Sequence, residues 1–151
     1  MGAGRPGALL LLLYSGAGFG VATYLTAVHY AHVPLVCSAT GLIDCARVVT
    51  SPFSVVPGTS VPITVPGIGF FVVSFALALA QYLRPFHQRL RQAHFGWACL
   101  GLLAVFYLVF VELVELHNIC LWCTAVHGLI ILTLLTTAWR LTPLDAALTA
   151  S

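Results

Sequence analysis

Lysine is absent from this 151-residue chain, and charge of either sign is scarce: six Arg and four acidic residues make up 7% of the sequence. Soluble domains carry roughly a quarter charged residues, so this deficit, with 60% hydrophobic residues, points to lipid as the solvent. Six scattered Arg also exclude a nucleic-acid surface, which needs clustered cations. Internal repeats, low-complexity tracts and any sign of a second domain are missing, so residues 1–151 read as one membrane domain. What the chain does have is five Cys, which a cytosolic compartment would keep reduced and an oxidising one would pair.

A spanning helix needs about 20 apolar residues, at about 1.5 Å each, to cross a hydrocarbon core of about 30 Å. Four stretches satisfy this, at about 8–29, 61–83, 95–117 and 119–139, and none carries a charge near its centre. The first continues to His29, beyond the apolar core of a cleaved signal peptide. Pro34, Gly41, Pro52, Pro57 and Gly58 break helical periodicity over about 30–60, which is expected to be an ordered loop. The other links are short: 84–94 between the second and third spans, and His117 with Asn118 before the fourth. The predicted fold is therefore all-α and membrane-integral, an antiparallel bundle of four transmembrane helices with a cap between helices one and two.

With four spans, Arg5, Arg84, Arg89, Arg91 and Arg140 share one side and Arg47 alone faces the other. Cytoplasmic segments carry the positive excess, so both termini are expected in the cytoplasm and the long loop outside it. Cys37 and Cys45 then lie in the extracytoplasmic loop, and Cys120 and Cys123 open the fourth helix at the same face. An oxidising compartment permits thiol–disulfide exchange between two such pairs. The Cys-Leu-Trp-Cys stretch sits where Asn118 is expected as N-cap, and unpaired amides in a first helical turn favour a thiolate. Inert structural disulfides in a non-catalytic tetraspan scaffold, and a zinc site, are the competing readings of the same spacing.

Several motifs in order carry a family resemblance: YLTAVHY at 24–30, the loop pair Cys37-x7-Cys45, ARVVTSPFSVV at 46–56, and ELHNICLWCTAVH at 115–127. With these the sequence resembles the vitamin K epoxide reductase family, most of all its single-domain bacterial members. That resemblance implies a quinone pocket inside the bundle, under the loop, in a bacterial plasma membrane. It implies that Cys37 meets the dithiol of a separate thioredoxin-like (DsbA-like) partner, that Cys45 exchanges with Cys120, and that Cys123 reduces a membrane quinone, menaquinone or ubiquinone, without a metal. Ser51 falls where members place a loop serine beside the pocket; its other reading is a turn residue before Pro52. The chain departs from the family's Gly-x-Pro signature at the start of helix two: Ser60-Val61-Pro62 with Gly67 fits it only after a short insertion, and Pro66-Gly67 offers a rival alignment. The Asn of vertebrate enzymes is missing and their helix-four Tyr is His127 here, so the resemblance implies quinone reduction first, with vitamin K epoxide reduction by the same cysteines as the alternative.

His127 lies one turn below Cys123 on one helical face, where it could hydrogen-bond or protonate a quinone carbonyl; its other reading is a buried polar contact between helices. Cys99 reads as a small buried hydrophobe, Glu112 and Glu115 as solvated or paired with Arg47, with a proton path to the pocket as their other reading, and His29 with His32 as interface markers. Trp122 is expected at headgroup level, and Phe106, Tyr107 and Phe110 as packing surface.

Overall fold

The computed structural model describes residues 5–31, 35, 37 and 40–142; His32 lies outside them. Its main elements are α1 (Arg5–Ala31), a short α2 (Cys45–Val49), α3 (Thr64–Leu83), α4 (Gln88–Phe110, prolonged by a π-helical turn at Val111–Glu115) and α5 (Leu121–Trp139). Among the described residues, four helices are long and apolar enough to cross a membrane: α1, α3, α4 with its π turn, and α5. Leu13, Leu83, Leu100, Leu103, Phe106 and Leu135 are exposed on the bundle's outside, an apolar belt that only lipid would cover. Ser15, Thr133 and Thr137 each donate to a carbonyl one turn back, which satisfies these helix hydroxyls without water.

Lipid offers no hydrophobic drive between helices, so close packing must hold them together. At Gly18 the ring of fully buried Phe71 fills the space a side chain would need, bringing α1 and α3 into direct contact. Ala22, Phe71, Val105 and Ile130, one from each spanning helix, form the central cluster. At the Arg-rich end, Gly7 gives way to Arg140, whose Nη1 donates to Gln81 Oε1 at 2.7 Å. Gln81 Nε2 lies 2.9 Å from His94 Nδ1, so three spanning helices meet through buried polar side chains.

This network explains the largest boundary difference. The stretch 84–94 reads as a link because it is charged, yet α4 begins at Gln88 and buries Arg91 and His94. The connection is 84–87, α1 reaches Ala31, α3 starts at Thr64 and α5 at Leu121. Cys99 is half-buried rather than fully packed, and Phe106 and Phe110 face outward rather than another helix. The loop between α1 and α3 is ordered in its described part: α2 and a 3-10 turn at Pro52–Ser54 lie in it, with Val55 bridged to Pro62.

Candidate functional site

Two backbone hydrogen bonds bring the thiol-bearing segments together. Ile119 N–H donates to Leu42 O at 2.8 Å and Asp44 N–H to Ile119 O at 3.2 Å, a parallel bridge between the loop and the entrance to α5. Each strand of this bridge runs directly into a cysteine. Asp44 caps α2 by accepting from Arg47 N–H, and Cys45 becomes the first residue of that helix. Ile119 leads into Cys120. Cys45 and Cys120 are both buried in one cluster with Leu25, Val48 and Val49, and Cys37 and Cys123 pack against it. Cys37 is joined to Cys45 by a disulfide and is the more exposed of the two, while Cys120 and Cys123 are free thiols.

The N-cap of α5 is Cys120 itself, not Asn118 as the residue types predict. Residues around Ile119 are held extended by the bridge, so the helix starts later, and the Asn118 side chain donates to Leu116 O at 2.7 Å. The Cys120 sulfur accepts from Cys123 N–H at 3.3 Å. Its thiol is drawn below the ordinary range, first by the hydrogen bond from the Cys123 side chain and further by backbone N–H groups of that turn, against the opposing effect of burial. A thiolate is the nucleophile in exchange, so Cys120 is chemically suited to it.

Cys123 lies one turn deeper and opens on a cavity of about 330 Å³ between the helices. Phe70 and Trp97, stacked at 5.6 Å, wall it with Gly67, Gly101 and Ala104, and His127 supplies a polar group at the Cys123 end. An apolar slot of this size, with a thiol and an imidazole at one end, has the character of a small-molecule site. A smaller cavity of about 60 Å³ shares Cys123, His127 and Thr64 and continues towards the loop, past Ser51, His29 and Glu112. Ser51 is buried and donates from Oγ to Val48 O at 2.8 Å, so it is both a turn residue and part of this wall.

All six residues singled out from the sequence thus stand in or beside one assembly, at the end of the bundle opposite Arg140. Glu112 corrects the expectation of a solvated acid: it is 6% exposed and faces the dithiol, whereas Glu115 is exposed. Its signal in the sequence is an acid within an apolar run shortly before a C-x-x-C. Trp122 is held against Tyr24 of α1, ring centroids 5.2 Å apart.

The model of the vitamin K epoxide reductase family matches residues 9–138. The chain belongs to the vitamin K epoxide reductase family. No curated protein matches it. Membership in the vitamin K epoxide reductase family makes this a multi-pass membrane redox protein, of a family linked to thiol–disulfide and quinone chemistry. Among the described residues, no group of three or more His, Cys, Asp or Glu is gathered as a metal site would need.

Proposed function

We propose that the protein oxidises the dithiol of a thioredoxin-like, DsbA-like partner outside the cytoplasm. It passes the electron pair through Cys37/Cys45 and Cys120/Cys123 to a membrane quinone, supporting disulfide formation. The partner's thiolate attacks Cys37, the accessible sulfur of the loop disulfide, and leaves Cys37 and Cys45 reduced. Cys45 then attacks a disulfide formed between Cys120 and Cys123 through a Cys45–Cys120 mixed disulfide, and Cys37 resolves it. The dithiol so formed consists of Cys120 thiolate and Cys123 thiol. With a quinone and one proton from solution it gives back the Cys120–Cys123 disulfide and a quinol, balancing both electrons and protons.

A quinone supplies the two-electron acceptor, and menaquinone and ubiquinone both suit the apolar cavity. The chain's task is placement: Cys123 at the cavity's polar end, His127 beside it to hydrogen-bond an oxygen, and Ser51 on the loop-side wall. The observation that carries this reading is the burial of Cys45 and Cys120 in one cluster, with Cys123 open to the cavity. The end holding Arg5, Arg84, Arg89, Arg91 and Arg140 supports an orientation with both termini in the cytoplasm of a bacterium and the thiols beyond its plasma membrane. Purified Cys123→Ala protein supplied with reduced partner and quinone should show no quinone-dependent turnover. Wild-type turnover would remove the terminal donor and with it the relay.

A further inference from the structure

The relay leaves one atom without a carrier. As the electron pair leaves the Cys120/Cys123 pair, the proton on Cys123 must leave too, from a side chain that is half-buried among apolar helices. Glu112 is placed for this. The π turn at Val111–Glu115, closed by Leu116 N–H to Val111 O at 3.0 Å, lodges its side chain inside the bundle. Asn118 N–H donates to the Glu112 carbonyl at 3.1 Å and anchors that turn against the entrance to α5. The carboxylate has the Cys120 backbone N–H and the Cys123 thiol within hydrogen-bonding reach, and it lines the small cavity beside Cys123. π turns inside α-helices recur at functional sites because the inserted residue re-aims a side chain.

Resting on the relay described above, we propose that Glu112 is a catalytic proton acceptor for Cys123. The Cys123 S–H bond breaks, its proton passes to a Glu112 oxygen, and the sulfur joins Cys120 as the electron pair goes to the quinone. Glu112 then holds the proton beside the new disulfide until it passes to the quinol oxygen. The other titratable groups facing this point are Cys120 and His127 from the α5 side and His29 from α1, with Ser51 and Thr64 as neutral hydroxyls. His127 shares the cavity with Cys123 and is the competing proton carrier.

The test uses full-length protein in detergent, reduced and then mixed with a short-chain ubiquinone across a range of pH. The wild-type single-turnover rate falls on the acid side as the carboxylate is protonated. Glu112→Gln keeps the shape, lowers the rate about 100-fold and abolishes the acid limb, while Glu112→Asp retains that limb. A second readout needs neither quinone nor variant folding: the infrared difference spectrum of quinone-free wild-type protein, oxidised with a chemical dithiol oxidant. It should gain the carbonyl band of a protonated buried carboxyl. Wild-type rates in Glu112→Gln, an acid limb that persists in that variant, or no carboxyl band in the wild-type spectrum would each overturn the assignment. Loss of activity in Cys123→Ala alongside an unaffected Glu112→Gln would sink Glu112 alone, whereas an active Cys123→Ala would sink the relay.

Discussion

Gly101→Ala separates the quinone end of the site from the thiol end. A Cβ at Gly101 would lie 2.6 Å from Phe70 Cε2, 2.7 Å from Cζ and 3.0 Å from Ile130 Cγ2. Carbon atoms rest at about 3.5–4.0 Å, so the Phe70 ring must move by roughly 1 Å. Trp97 blocks one direction, stacked on Phe70 with 12° between the planes and donating from Nε1 to Phe70 O at 3.2 Å. The space left is the cavity that Phe70 already lines. Overpacking of this kind costs about 1–3 kcal/mol; drawn from the free energy of seating a ring in the cavity, that is about 5- to 150-fold in quinone KM. Exchange between a dithiol partner and the Cys37–Cys45 disulfide should be unchanged, because Gly101 lies deeper in the bundle. Steady-state quinone titration and a stopped-flow exchange assay read the two ends on one preparation. A wild-type quinone KM would refute the cavity as the acceptor site, and an equal loss at both ends would show general unfolding instead.

In protein with Cys37 and Cys45 replaced by Ala, Cys120 alkylation should persist below the ordinary thiol pKa of about 8.5, because its thiolate is stabilised and is lost only as pH falls through the lowered value. Adding Cys123→Ala removes the principal cause, and the fall in alkylation should move to higher pH; an unmoved profile would contradict that cause. Ile119→Pro deletes the N–H donated to Leu42 O and should slow transfer between the two thiol pairs roughly 2- to 10-fold, from about 0.5–1.5 kcal/mol for the lost bond, read by rapid quench. An unchanged transfer rate would show that the bridge does not set the register. Gly18→Leu should lower the thermal midpoint of the purified protein, since the Phe71 ring occupies the space; no shift would contradict the close α1–α3 contact.

Spanning helices and the shared face of the thiols are legible in the sequence because they follow from run length, loop length and Arg placement alone. Long-range pairing is not: nothing in the residues around Leu42 or Ile119 announces the bridge that joins them. That same bridge defeats the local capping rule at Asn118, since it keeps the backbone extended and shifts the cap to Cys120. Glu112 escapes a periodicity argument because the π turn changes the register where its face is decided. The polar start of α4 looks like a link until Gln81 and Arg140, distant in sequence, supply the buried partners. Cys123 and His127 fare better, because their spacing within one helix fixes a shared face and both line the cavity.

Mass spectrometry of disulfide-linked peptides from the Cys37→Ala, Cys123→Ala double variant tests the relay most directly. With both resolving thiols gone, the account predicts one intramolecular link, between Cys45 and Cys120, formed under mild oxidation and reversed by reductant. Recovery of both residues as unlinked thiols under the same oxidation would contradict it.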